Sequence, residues 1–293
     1  MRTYLECIPC FFKQALNVSN IAGIDDETQK KILDDICGAI PSISMDATPP
    51  EIAVQIYGIF SKRTGIDDPY KKLKEKCNTV ALSLYPELKQ LVAEADNTLL
   101  AAVECAIAGN IIDYGAVENL QVREELRAIL ERETDSIRQE SEEFFNFSAF
   151  VHSLEQANRL LYIGDNAGEI VFDRVLLETI KEVTSIEEVF FAVRDKPIIN
   201  DVTEKDAYET GMDHIAEIVS SGSEAPGTIL SRCSPRFQSL FSNADIVISK
   251  GQGNYESMSG SIERADVFFL LRAKCEVIAK HLGCRVGDII LHV

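Results

Sequence analysis

Asp165 and Asn166 stand between two glycines in the run Tyr162-Ile163-Gly164-Asp165-Asn166-Ala167-Gly168-Glu169. Carboxylate and amide oxygens are hard ligands of the kind Mg²⁺ and Mn²⁺ prefer. Glycines beside them let an anion approach backbone N–H groups where a helix begins, here at Gly168 and Glu169. A second Asn-Asp pair, Asn200-Asp201, follows Arg194-Asp195-Lys196-Pro197 and precedes Val202-Thr203-Glu204. If the two segments are neighbours, Asp165, Asn166 and Asp201 converge on one divalent cation, with waters completing its shell. The same stretches also read as an Asx turn at Asp165 and a capped helix start from Asp201.

A third segment, Lys250-Gly251-Gln252-Gly253-Asn254-Tyr255-Glu256, sets a lysine at the mouth of a glycine-rich turn. Lys250 is a point charge suited to a phosphate, and Asn254 and Glu256 add polar groups. The alternative is that Lys250 pairs with one of the chain's many carboxylates and orders the loop. The spacing matches neither a Walker loop nor a dinucleotide fingerprint, so kinase, NTPase and dehydrogenase chemistry lose support. Gly109-Asn110-Ile111-Ile112-Asp113 places Asn110 and Asp113 on one helix face, either as substrate contacts or as a polar helix end. The histidines at 152, 214, 281 and 292 show no ligand or triad spacing. Cys7-Ile8-Pro9-Cys10 has the spacing of a metal or redox pair, but one pair makes half a structural zinc site and it does not follow a strand.

These residues need a scaffold, and the chain carries two kinds of grammar. From Met1 to about Glu140 apolar residues recur at helical spacing. Phe11, Ala15, Leu16 and Val18 form one stripe, and Ile32, Leu33, Ile36 and Ile40 a second that stops before Pro41. Thr48-Pro49-Pro50-Glu51 reads as an N-cap with prolines in the first turn of a third helix. Further helices are expected over Tyr70–Leu91, Asn97–Ile112 and Val122–Ile137. After about Ser141 short apolar runs alternate with turns and helical patterns, which is βαβ grammar. The expected strands are Leu160–Ile163, Val189–Val193, Ile215–Val219, Ile246–Ser249 and Val267–Leu271. Strands apolar on both faces suit a mostly parallel sheet with helices on each side, whose ligands bind beyond the strands' carboxyl ends.

The expected organisation is therefore an all-helical domain, residues 1–140, covering the cleft of a Rossmann-like three-layer α/β/α domain, residues 141–293. With 29 Lys+Arg against 47 Asp+Glu the net charge is −18, which repels phosphate backbones and anionic lipid. Nucleic-acid and peripheral-membrane roles are accordingly not expected. No apolar run approaches the roughly 20 residues of a membrane span, and the amphipathic N-terminus does not resemble an export signal. A soluble cytoplasmic protein with reduced cysteines is expected.

Taken in order, the quoted motifs resemble the DUF89, or damage-control phosphatase, family, which includes the ARMT1-like proteins. Cys7-Ile8-Pro9-Cys10 is similar to its compact, stand-alone prokaryotic branch. The resemblance implies a metal-dependent phosphatase acting on small phosphometabolites such as sugar phosphates or phosphopantetheine-like compounds, with Mn²⁺, Co²⁺, Ni²⁺ or Mg²⁺. It implies metal ligation by Asp165, Asn166 and Asp201, with the family's lysine turn at Lys250 and substrate contacts at Asn110, Asp113, Gly168, Glu169, Asn254 and Glu256. Arg194-Asp195-Lys196 departs from the eukaryotic members. Hydrolysis by metal-bound water and attack by Asp165 both stay open. Two other readings are a module that binds phosphometabolites without turnover and a carboxyl methyltransferase, the latter without a glycine-rich adenosylmethionine loop to support it.

Overall fold

The structure, a computed structural model, describes residues 1–109, 144–262, 264 and 266–293. The helical pattern at Val122–Ile137 and both Asn110 and Asp113 lie outside the described residues. The chain opens with helices α1 (Cys7–Ile21), α2 (Asp26–Ala39) and α3 (Pro49–Thr64). Asp25 caps α2 by accepting from the Thr28 N–H at 2.9 Å. Thr48 and Glu51 form a capping box at α3, with proline in its first turn, and Gly65 ends it in the left-handed region. Phe11, Val18, Ile32, Ile36, Ile52, Ile56 and Phe60 face one another, giving these three helices a core of their own.

Helices α4 (Lys71–Glu94) and α5 (Thr98–Ala108) behave differently. Every residue of α5 from Ala101 to Ala108 is buried, Glu104 included, because the helix is predominantly apolar and lies inside the molecule. Both helices pack on α7 (Glu169–Val183), and their side chains join the core of the sheet. The core thus divides between α3 and α4, whereas the expected boundary near residue 140 falls outside the described residues.

Helix α6 (Phe147–Gln156) leads into a six-stranded sheet of β1 (Arg159–Ile163), β2 (Glu188–Val193), β3 (Glu217–Ser220), β4 (Ile246–Lys250), β5 (Val267–Arg272) and β6 (Ile289–His292). The order is β3-β2-β1-β4-β5-β6, parallel except for the β5–β6 pair. Side chains alternate between faces. Leu160 and Tyr162 of β1 enter the core with α4, α5 and α7, and Leu161 and Ile163 enter the opposite core. That second core holds Phe237 of α9 (Pro235–Asn243), Met258 of α10 (Gln252–Met258) and Ile278 of α11 (Glu276–Leu282). The short α8 (Glu204–Glu209) follows the second Asn-Asp pair. The mixed three-layer α/β/α architecture is as expected.

Two strand expectations need correction. β3 begins at Glu217 and not Ile215, because the Ile215 N–H closes a turn onto Met212 O at 3.0 Å. β6 was not anticipated; its antiparallel run pairs with β5, and its outer side is covered by backbone bonds to Phe144 and Asn146.

Candidate active site

The sheet order places β1 between β2 and β4, where successive connections run to opposite sides and a crevice opens at the strands' carboxyl ends. The turn after β1 is fastened to β2 by Gly164 N–H donating to Ala192 O at 3.0 Å. The two Asn-Asp turns then hydrogen-bond directly to each other. Val202 N–H donates to Asp165 O at 2.8 Å, and Ala167 N–H to Asn200 O at 2.9 Å. Asn166 and Asp201 form an antiparallel bridge. The turn after β4 closes from the other side: a Cβ at Gly251, whose φ is +79°, would lie 1.9 Å from Asp165 Oδ2. Only glycine admits both that backbone and that approach.

Donors and charges fix the individual side chains. Asn166 Nδ2 donates to Asp165 Oδ2 at 2.7 Å and to Glu169 Oε2 at 3.1 Å. With its amide hydrogens so engaged, the oxygen is what Asn166 can offer a cation. Arg194, at the end of β2, is buried and bridges three segments. Its Nε donates to Asp201 Oδ2 at 2.7 Å, and its other nitrogens to Thr228 Oγ1 at 3.1 Å and Asn254 Oδ1 at 2.9 Å. Ile199 has φ +47°, rare for a β-branched residue, and its side chain packs against the α1–α3 core. The strained residue therefore couples that core to the turn carrying Asp201.

Burial, with the nearby charges of Asp201 and Glu169, raises the Asp165 carboxyl well above its ordinary range. Burial also raises Asp201, against the opposing charge of Arg194. A divalent cation between these oxygens would relieve that concentration of negative charge, so the donor set of two carboxylates and an amide oxygen fits a hard metal. No group of three Cys, His, Asp or Glu side chains is arranged for a metal among the described residues. The set at this crevice differs in having an amide as its third donor.

Several expected contacts are placed otherwise. Lys250 does not reach the crevice: its Nζ is fully buried and donates to Glu169 Oε1 and Asp173 Oδ1, each at 2.5 Å, and to Ala106 O at 2.9 Å. An ammonium withdrawn from water needs such carboxylates, so Lys250 holds Glu169 and through it Asn166. Tyr162 OH donates to the same Asp173 oxygen at 2.8 Å, while Asp173 Oδ2 has no partner and burial raises that carboxyl to about 7. Gly168 does not offer its N–H to an anion, because Asn78 Oδ1 accepts it at 2.7 Å. Asn254 is wholly buried, donating to Lys250 O at 2.7 Å and Gly164 O at 3.2 Å. Asp165, Asn166, Asp201 and Glu256 line the crevice; Lys250, Gly168, Glu169 and Asn254 stand behind it.

That crevice is a cavity of about 270 Å³. One wall is the three turns. The other comes from Phe11, Gln14 and Asn17 of α1 and Pro49, Ala53 and Tyr57 of α3. Lys274, two residues beyond the end of β5, places a cation on the cavity wall that Lys250 does not reach. The signal was available, since Lys274 also stands at the carboxyl end of an expected strand. Arg194 could be anticipated by the same rule. Gln14 and Asn17 could not, because nothing in their helical spacing distinguishes a pocket face from a solvated one.

Comparison with known proteins places the chain in a family. The damage-control phosphatase ARMT1-like domain matches residues 3–290. A damage-control phosphatase of Archaeoglobus fulgidus is 35% identical over 244 residues, 83% of this chain and 81% of the relative. One from Pyrococcus horikoshii is 31% identical over 297 residues, 99% of this chain and 97% of the relative. A crystal structure of a DUF89 family protein from Pyrococcus horikoshii superposes with a TM-score of 0.87 at 28% identity, covering 100% of this chain and 99% of the other. The chain belongs to the ARMT1-like damage-control phosphatase family.

Proposed function

We propose that the chain is a metal-dependent phosphatase that hydrolyses phosphate monoesters of small metabolites, in the damage-control role for which its relatives are named. One observation carries this reading: two Asn-Asp turns, hydrogen-bonded to each other, line one small cavity together with Lys274. Asp165, Asn166 and Asp201 would hold the divalent cation, Mn²⁺, Co²⁺, Ni²⁺ or Mg²⁺, which when bound supplies charge neutralisation at a phosphoryl oxygen and activation of water.

The chain's own groups do the rest. Arg194 keeps Asp201 oriented, and its charge opposes the effect of burial on that carboxyl. The Asn166 amide is aimed by two carboxylates, and Lys250 fixes the further of these. Lys274 provides a compact positive charge for the transferring group, in a chain whose overall field repels anions. The α1 and α3 wall lines the side of the cavity left for the organic part.

The test is phosphate release from a panel of phosphomonoesters after chelator treatment, with and without added Mn²⁺. Release that requires the metal and is lost in Asp165→Asn is expected. Tight binding of the same esters without release would favour a non-catalytic metabolite-binding protein.

A further inference from the structure

Charge draws a phosphoryl group to the wall formed by Asp165, Asn166, Asp201 and Lys274, which leaves the organic part of a substrate against α1 and α3. That wall is apolar at Phe11, Pro49 and Ala53, with one polar exception deep enough to matter. Gln14 Oε1 is buried and has no hydrogen-bond partner. The other end of the same amide is tethered, since Nε2 lies 3.6 Å from Cys10 Sγ one turn earlier on α1. A buried carbonyl oxygen without a donor is destabilising by about the desolvation penalty of the group, and a ligand that supplies the donor recovers it. The Tyr57 hydroxyl is paired with that of Tyr70 at 3.4 Å and makes no hydrogen bond to Gln14.

We infer that Gln14, tethered by Cys10, selects substrates by accepting a hydrogen bond from a hydroxyl on the organic part of the phosphate ester. The inference rests on the phosphatase reading of the same cavity. It assigns specificity to a residue of α1, outside the three turns that line the opposite wall, and it gives the Cys7-Ile8-Pro9-Cys10 segment a positioning role through its second thiol. A site built around an acceptor discriminates against an analogue lacking the donor, because the acceptor is then left unpaired.

The experiment compares a hexose phosphate with its singly deoxygenated analogues, on wild type, Gln14→Leu, Cys10→Ala and the double variant. Binding is read by calorimetry and turnover by phosphate release, with melting temperature recorded alongside. Wild type should prefer the parent ester over at least one deoxy analogue by about tenfold, in Kd and in kcat/KM. Gln14→Leu should bring that ratio close to one. Cys10→Ala should reduce it and add nothing in the Gln14→Leu background. A wild-type ratio near one for every analogue, or a ratio unchanged in Gln14→Leu, overturns the inference even if phosphate is released. Conversely, a binding preference that Gln14→Leu abolishes, in a protein that releases no phosphate, upholds the inference and removes the phosphatase reading.

Discussion

Arg194 Nε lies 2.7 Å from Asp201 Oδ2, with both side chains almost wholly out of reach of solvent. The pair welds the end of β2 to the second Asn-Asp turn, and the remaining guanidinium nitrogens extend the weld to Thr228 and Asn254. Burial at that depth favours the protonated carboxyl, and the arginine's charge opposes it.

Removing Arg194 should therefore damage the fold as well as the site. Arg194→Met leaves Asp201 as a buried carboxylate without its partner and is expected to destabilise by about 3–5 kcal/mol in denaturant unfolding. For the same reason Asp201→Ala is a poor probe of metal ligation, since it strands the guanidinium. Asp201→Asn, which retains a hydrogen-bond acceptor, should separate lost metal affinity from lost stability.

Lys250 is expected to act through position and not through contact with substrate. Lys250→Met leaves Glu169 and Asp173 facing each other without a cation, and a stability loss of about 3 kcal/mol or more should accompany loss of turnover. Lys274→Met, on the cavity surface, should raise KM for anionic esters with a change in stability within about 0.5 kcal/mol. Parallel unfolding and steady-state measurements on the two variants check the contrast. Intact stability in Lys250→Met together with lost turnover would return Lys250 to a substrate-facing role.

Gly251 offers a local test of how closely the turns must approach. Gly251→Ala adds a Cβ where Asp165 Oδ2 now lies and imposes a left-handed conformation, a strain of roughly 1–3 kcal/mol. Mn²⁺ affinity, read by calorimetry, should fall at least tenfold as Asp165 is displaced. Unchanged affinity would mean that Asp165 is not a ligand in its present position.

Glu256 lines the cavity, and burial pushes its carboxyl up to about 7 against a hydrogen bond from Gln252 Nε2 at 2.7 Å. Because the folded value lies above the unfolded one of about 4.3, the folded state binds the proton more tightly. Its contribution to stability is full below the unfolded value and is lost as pH rises through about 7. In Glu256→Gln the decline in stability across that window should be smaller than in wild type, by at most about 4 kcal/mol. Ionisation of Glu256 on the cavity wall should also raise KM for anionic esters above neutral pH in wild type, and less so in the variant. Parallel pH profiles of the wild type and the variant check both.

Much of this arrangement could be read from residue order. Thr48-Pro49-Pro50-Glu51 announced the start of α3 because capping chemistry is local. The Asn-Asp turns stood out because strand ends in a parallel sheet are where ligands bind. What stayed hidden depends on distant partners. The fate of Lys250 is decided by Asp173, one helical turn beyond Glu169, and by the Ala106 carbonyl, 144 residues away in sequence. The place of α4 and α5 was obscured for the same reason: helical spacing shows which face is apolar, not whether it packs on helices or on a sheet. β6 is four residues long and antiparallel, outside the βαβ rhythm that revealed the other strands.

The most direct measurement is an anomalous difference map from crystals grown with Mn²⁺. One dominant peak is expected within about 2.3 Å of oxygens from Asp165, Asn166 and Asp201. A map with no peak between those side chains, or with its principal peak at Cys7 and Cys10, would contradict the proposed centre.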